Sequence, residues 1–519
     1  MTRHERPAGA RSIRGASPAT EAIPLGWQAC EAEGLDYAGT FRRQFILSEG
    51  FVRAPGIWSA RSLGGWTLRH CPELPCRTLL SGDGAAIGLV LGIAITGAGE
   101  MLADRQIVDP GDGGAQRFIE ALSGRYIALL DTGTGPRLFV DPSGSLGAYY
   151  HPQGRRVAGC IPLVLDRPRQ ENPDLPLAEY LARRGKYYML GDTCDAEVRH
   201  VLPNHALDLR DFTVARHWPR DDMDLAPPES RAALLDDIRE ALRLRLAALT
   251  AAHACAMPVT GGNDSRFLLA CMGDAGGPRA YFTHVHNLAS YADSVVAGAI
   301  CERMGLPHRI VSARSPGAPD AARLDTLEKM IRLRGSFQYR PDRSVIATAE
   351  QAPPGCEVVI RGGMIELLRS LKWKPGWGDD PQAAIDPAFA LARFAKPRSM
   401  DPNFAAAMLP RYAEWMAGLP ARMRGRVADF SHCELYLSSV NAAMQAGMAG
   451  HMLVSPFNDR ALITAAMRLP HRFRQARRPL AHVVRHGAPE LADVPFRDKA
   501  LMTRLSEGGI AAASGRGWT

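Results

Sequence analysis

The rhythm of apolar and polar positions changes near the middle of the chain. From about Ile23 to Leu165, short apolar runs are broken every few residues by Gly, Pro or Asp, the spacing of strands joined by tight turns. Residues 89–95, 125–131 and 137–141 are predicted strands, with 132–136 as the hairpin connection between the last two. A further hairpin is predicted from 147–150 and 156–160 around Pro152-Gln153-Gly154, and a helix over 177–181. Past Ser230 the period lengthens. Leu235, Ile238, Leu242, Leu246 and Leu249 fall on one face of a long helix, with Ser230 as its expected N-cap. An apolar segment, 255–259, then reads as a buried strand, followed by a glycine turn and a helix ending near Gly273. Strands at 280–285, 307–311 and 357–360 alternate with helical patterns, one of them over 292–304 and closed by Gly305. Alternation of this kind implies a parallel, doubly wound α/β sheet with ligands at the carboxyl ends of its strands. The polar stretch holding Asp221, Asp222, Asp224, Pro227 and Pro228 divides a β-rich domain, 21–225, from an α/β domain, 226–519.

Composition narrows the classes of function. The chain has 519 residues, 46% hydrophobic and 22% charged, which is ample for two full cores. Part of its net charge of +8 lies in Arg3, Arg6, Arg11 and Arg14 of a basic tail, 1–20, expected to be disordered. Another part lies between Arg468 and Arg485, which hold six arginines and no acid. Apart from Phe473 no aromatic residue interleaves with them, so no nucleic-acid partner is expected. The ten cysteines are scattered, and Cys71 and Cys76 alone do not make zinc spacing, so a reducing cytoplasm is the expected location. The most apolar stretch, 85–97, is too short and glycine-rich to cross a bilayer, and no membrane partner is expected.

Candidate chemistry centres on Pro258-Val259-Thr260-Gly261-Gly262-Asn263-Asp264-Ser265. A strand, a glycine-rich turn and a helix aim backbone N–H groups at an anion, and the two glycines allow close approach of the main chain. Thr260 and Ser265 add hydroxyls. Asp264 repels an anion arriving alone, but is a suitable hard ligand if Mg²⁺ accompanies a polyphosphate. The plainer alternative is a strand-to-helix turn capped by Asn263 or Asp264. His284 and His286 share a strand face and, without a third ligand, are read as packing or solvent contacts.

The 260–265 loop resembles the pyrophosphate-binding loop of the ATP-pyrophosphatase enzymes, Ser-Gly-Gly-X-Asp-Ser, with Thr260 in place of the first serine. Gly124-Arg125-Tyr126, then Val140-Asp141-Pro142, then Gly147 ahead of Tyr149-Tyr150 is an order similar to the glutaminase domain of asparagine synthetases. Gly191-Asp192-Thr193 and Leu202-Pro203-Asn204-His205 resemble that family's linker, with Asn204 where a glycine recurs. Ser455-Pro456-Phe457-Asn458-Asp459-Arg460 resembles its Pro-Phe-Leu-Asp segment, where Asp459 is expected to cap a helix. The resemblance spans roughly residues 85–500. It implies an Ntn-hydrolase-like sandwich, akin to class-II glutamine amidotransferases, ahead of an adenine nucleotide α-hydrolase-like ATP-pyrophosphatase domain.

The same resemblance implies an ATP-dependent carbon–nitrogen ligase, asparagine synthase-like, that adenylates a carboxylate, releases pyrophosphate and forms an amide. Implied nucleotide-binding residues are Val259, Thr260, Gly261, Gly262, Asn263, Asp264, Ser265, Arg361 and Gly362. Asp264 and Glu366 are the implied Mg²⁺ ligands and should converge beside the glycine turn, while Glu366 and Arg477 are the implied catalytic pair. Three departures stand out. Thr2 occupies the place of the glutaminase cysteine, so no glutaminase activity is expected and nitrogen must come from ammonia or a substrate amine. Arg361 replaces a serine in a shortened loop whose one acid is Glu366, and Arg477 stands for a lysine. The expected substrates are a small-molecule or peptide carboxylate and an amine, as in specialised amide-forming cyclases, with a homodimer as the expected assembly. The rival expectation is a catalytically inactive nucleotide-binding scaffold that retains the fold.

Overall fold

The computed structural model describes residues 21–507, apart from 183–187, 274–275, 352, 354, 375–376, 381 and 395–401. Thr2 and the basic tail lie outside the described residues. The first half of the chain builds two sheets. One has six strands in the order Arg199–His200, Tyr149–His151, Arg156–Ala158, Phe45–Ser48, Trp66–His70 and Ser59–Leu63, all antiparallel. The other has seven, in the order Val214–Arg216, His205–Asp208, Arg137–Val140, Ser123–Leu130, Ala86–Ile95, Cys76–Leu80 and Arg105–Ile107. Its last pair is parallel and the rest are antiparallel. The expected hairpin joins Ser123–Leu130 to Arg137–Val140, with Leu130 opposite Arg137.

Period-2 alternation explains why the 86–95 strand reads as uniformly apolar. Leu89, Leu91 and Ile93 belong to one core with Leu47 and Val157 of the neighbouring sheet. Val90 and Ala94 face the opposite way, into a second core with Ile119 of the helix Gly114–Glu120. Both faces of the strand are therefore covered.

The second half opens with the long helix α1, Arg231–Ala252, burying the five leucine and isoleucine positions read from its period. Ser230 is at its start but makes no side-chain cap hydrogen bond, contrary to expectation. A 3₁₀ turn, Pro228–Ser230, runs directly into the helix, so Ser230 already has helical dihedrals and cannot present its hydroxyl as an N-cap does. Strand β1, Cys255–Pro258, follows, then α2, Asn263–Met272, β2, Ala280–Val285, α3, Leu288–Arg303, and β3, His308–Ser312. Further on come β4, Val358–Ile360, helix α4, Ser438–Gly447, β5, Met452–Val454, and helices α5, Arg460–Met467, and α6, Arg478–Gly487. Helix α3 begins earlier than the expected residue 292. Asn287 Oδ1 accepts from the Ser290 N–H at 2.9 Å while Ser290 Oγ accepts from the Asn287 N–H at 2.9 Å, a reciprocal cap that starts the helix there.

The five β strands form one all-parallel sheet in the order 3-2-1-4-5. The protein is thus an α/β structure of two antiparallel or mixed sheets followed by a parallel sheet with interleaved helices. Among the described residues, no helix is long and apolar enough to cross a membrane.

Buried polar contacts join the two halves where β5 ends. Asp141 accepts from the N–H groups of Ser143 and Ser145 at 3.0 Å each and from their hydroxyls at 3.1 and 2.9 Å. It also accepts from Asn458 Nδ2 at 2.7 Å, and the same amide donates to the Gly124 carbonyl at 2.6 Å. Arg460 extends the seam, donating to the Val140 carbonyl at 3.0 Å and to Asn204 Oδ1 at 3.0 Å. Asn204 has φ of 65°, the left-handed region that glycine and asparagine tolerate best, so asparagine keeps the turn that glycine would allow. Its amide also donates to the buried Glu434 at 2.9 Å.

Candidate functional site

In a 3-2-1-4-5 sheet the connections from β1 and β4 leave on opposite sides, opening a crevice at the carboxyl ends of these two neighbours. The 260–265 loop follows β1 and the 361–366 turn follows β4, so the topology brings them together. Their approach is close enough to dictate a residue. A Cβ on Gly362 would stand 2.6 Å from the Asp264 Cβ. Gly261 is confined less severely, since an added Cβ would lie 3.0–3.1 Å from Arg497, Asp293 and Val296. Its smallness therefore serves packing against α3.

The first three amides of the loop have partners within the fold. The Thr260 N–H donates to Ser265 Oγ at 3.1 Å, Gly261 N–H to Asp293 Oδ1 at 3.1 Å, and Gly262 N–H to Thr260 Oγ1 at 3.3 Å. The expected display of these amides toward an anion is thus replaced by internal partners, and Asp293, paired with Arg497 at 2.7 Å, holds the Gly261 position. Val259 lies underneath, fully buried, its carbonyl accepting from Thr283 Oγ1 at 2.6 Å. Asn263 opens α2 with its Oδ1 buried and, among the described residues, without a hydrogen-bond partner.

A cavity of about 260 Å³ occupies the crevice. Thr260, Asp264, Ser265, Arg361, Gly362 and Glu366 line it from the α/β half, and Ser143, Ser145 and Asn458 from the seam. Of the residues singled out from sequence, Val259, Gly261, Gly262 and Asn263 support the loop beneath or beside this lining. Arg477 stands elsewhere. It has a left-handed φ of 55° immediately ahead of α6, and its guanidinium lies 4.9 Å over the Phe496 ring, which Arg266 covers at 4.1 Å.

The two acids inside the cavity differ. Asp264 receives Arg369 Nη2 at 3.0 Å on each oxygen. Burial nonetheless pushes its carboxyl up to about 6, with Arg369 opposing and the Glu366 charge adding to the rise. Burial also pushes Glu366 up, but the hydrogen bond and charge of His432, with help from Arg369, more than offset it and hold the carboxyl below its ordinary value. The His432 Nε2 to Glu366 Oε1 distance is 3.3 Å. Local strain aims these groups. Met364 and Ser370 have φ of 71° and 47°, and they bracket the 3₁₀ turn Ile365–Arg369 that carries both Glu366 and Arg369. Left-handed conformations at such residues cost about 1 kcal/mol or more each and persist where the surroundings enforce them.

His432 escaped the sequence reading. It lies on a π-helix, Ser431–Leu437, and stacks 5.4 Å from Tyr436. Nothing in its local sequence links it to an acid 66 positions away. Single π turns inside helices are enriched at functional sites, but they leave no dependable pattern of residues.

An adjoining cavity of about 240 Å³ shares Arg361, Met444 and Leu453 with the first and is also lined by His284, His286 and His451. Burial, and then Arg361 and the neighbouring imidazoles, push His284 down to about 4, so it is neutral at pH 7. The strand histidines therefore act as wall groups of this second chamber.

Two carboxylates in one crevice, one left with an incompletely neutralised charge, suit a hard divalent cation with oxygen ligands. No protein-family model matches the chain, and the search of curated proteins finds no match either.

Proposed function

We propose that the chain is an ATP-dependent, asparagine synthase-like ligase that activates a carboxylate as its adenylate and converts it to an amide. The observation that carries this reading is the meeting of the 260–265 loop and the 361–366 turn at the sheet's switch point, with Asp264 and Glu366 lining one cavity. The finer reading of the two halves, an Ntn-hydrolase-like domain that has lost its glutaminase and an ATP-pyrophosphatase domain, belongs to the same proposal.

The chain's own groups fall into three tasks. Thr260, ahead of α2, and Ser265, in its first turn, put hydroxyls on the cavity wall, where the N-terminal dipole of α2 favours phosphate oxygens. Arg361, exposed at the junction of the two cavities, is placed to neutralise charge on a bound anion. Asp264 and Glu366 would hold Mg²⁺, which when bound offsets polyphosphate charge as a Lewis acid. The two cavities together reach the size of small-molecule sites, about 300–1,000 Å³, so nucleotide and acyl group can be held side by side.

In the first step a carboxylate oxygen bonds to the α-phosphorus as the bond to the bridging oxygen breaks and pyrophosphate leaves. In the second, an amine or ammonia nitrogen bonds to the acyl carbon, AMP leaves with the mixed-anhydride oxygen, and nitrogen loses a proton. Glu366, which lines the cavity beside His432, is a carboxylate that can accept that proton.

The Asp264–Arg369 ion pair favours a second reading, a nucleotide-binding scaffold in which Arg369 has taken the cation's place. Pyrophosphate release, measured with ATP, Mg²⁺, ammonia and a panel of carboxylic acids, separates the two. The ligase reading expects acid-dependent pyrophosphate that disappears in Glu366→Gln. Nucleotide binding with no pyrophosphate from any acid supports the scaffold.

A further inference from the structure

Helices α1 and α6 carry a second constellation, none of whose members lines the crevice cavity. Asp236, His482 and His486 each present one ligand atom, and the three atoms lie within 4.8 Å of one another. His482 and His486 are one helical turn apart on α6 and so share a face, with ring centroids 4.3 Å apart. Asp236 reaches them from α1, which packs against α6, and its Oδ1 is 3.0 Å from His482 Nε2.

Two details go beyond simple proximity. His486 Nδ1 is 2.8 Å from the His482 carbonyl oxygen, and since a carbonyl only accepts, this ring nitrogen must carry the proton. The neutral ring then presents the Nε2 lone pair outward, the tautomer fixing that a backbone carbonyl provides behind metal-bound histidines. The separation of 3.0 Å between Asp236 and His482 also corresponds to ligands about 90° apart on one ion about 2.1 Å from each, an octahedral edge rather than a tetrahedral one.

We propose that Asp236, His482 and His486 bind one borderline divalent transition-metal ion of the Zn²⁺ class, which ties α6 to α1. Two imidazoles and one carboxylate select Zn²⁺, Co²⁺ or Ni²⁺ over Mg²⁺ and Ca²⁺. The Asp236 side chain is 48% exposed and His486 is exposed, so water completes the coordination and the site is open to the solvent. Its position gives it a structural consequence. Helix α6 also packs on α2, the helix that begins at Asn263 and Asp264, so the ion would clamp the support of the 260–265 loop. The proposal does not depend on the chain being a ligase.

The test titrates the full chain with Zn²⁺ by calorimetry and with Co²⁺ by visible absorption, beside Asp236→Asn and His486→Gln. Both substitutions are at exposed positions, and circular dichroism checks that the variants stay folded. The expected result is one equivalent of Zn²⁺, weakened at least tenfold by each substitution, and not displaced by excess Mg²⁺. The Co²⁺ form should lack a thiolate charge-transfer band, and Zn²⁺ should raise the melting temperature of the wild type but not of the double variant. Absence of binding, equal affinity in wild type and variants, or a thiolate band placing the ion on cysteines would overturn it.

Discussion

Replacing Asp264 by asparagine should leave the protein as stable or more stable at neutral pH while removing its affinity for ATP with Mg²⁺. The folded carboxyl sits near 6, above the unfolded value of about 3.9, so folding disfavours its charged form. That cost is absent below pH 4, grows as the pH rises through 6, and is complete above it. A rise of roughly 2 pH units corresponds to about 3 kcal/mol as an upper bound. The Asp264 side chain is 33% exposed, and solvent screening reduces the expected gain to about 1–2 kcal/mol, the opposing Arg369 contact being already contained in the shifted carboxyl. Urea unfolding of wild type and Asp264→Asn at intervals from pH 4 to 8 measures it. The two curves should coincide at pH 4 and separate through pH 6, with the variant above. In the wild type alone, ATP with Mg²⁺ should add stability at pH 7, because a ligand that binds only the folded state shifts the equilibrium toward it. A variant less stable than wild type at pH 7 would refute the electrostatic argument. A variant that keeps the full ATP·Mg²⁺ stabilisation would refute the role assigned to Asp264.

Other substitutions probe the frame around the site. Asp459→Ala removes the α5 cap, in which Oδ1 accepts from the Ala461 and Leu462 N–H groups, and strands the buried Arg245 that pairs with Oδ2 at 2.6 Å. A loss of about 3–5 kcal/mol is expected in chemical denaturation, and a loss below about 1 kcal/mol would count against a buried pair. Gly362→Ala forces a methyl group against Asp264 and should cost about 1–3 kcal/mol in the same assay, together with weaker calorimetric binding of ATP with Mg²⁺. Arg477→Ala loses the contact with Phe496, about 0.5–1 kcal/mol, and should leave pyrophosphate exchange within a few-fold of wild type. A hundredfold fall in exchange would restore the catalytic place that the family resemblance implies for Arg477.

Local features were legible without coordinates wherever a period or a cap decides them. The α1 stripe, the bounds of β2, the hairpin after residue 130 and the cap at Asp459 all follow from interactions between residues a few positions apart. The parallel α/β class was legible too, because strands alternating with helices require crossover connections that lay the strands parallel. Tertiary structure decided what met. Asp264 and Glu366 share a cavity because β4 was laid beside β1, and strand order is set by long-range packing that residue periods do not encode. Arg369 on Asp264 and His432 beside Glu366 bear no local mark at all. Asp141 and Asn458 each stood in a recognisable motif, yet only the folded seam makes one the partner of the other. Arg477 stands in a segment read by resemblance, yet only the fold shows its guanidinium 4.9 Å over the Phe496 ring. Backbone pattern is fixed by sterics and hydrogen bonds within a few residues, whereas a site is a convergence of side chains from distant segments, fixed only when the core beneath them packs.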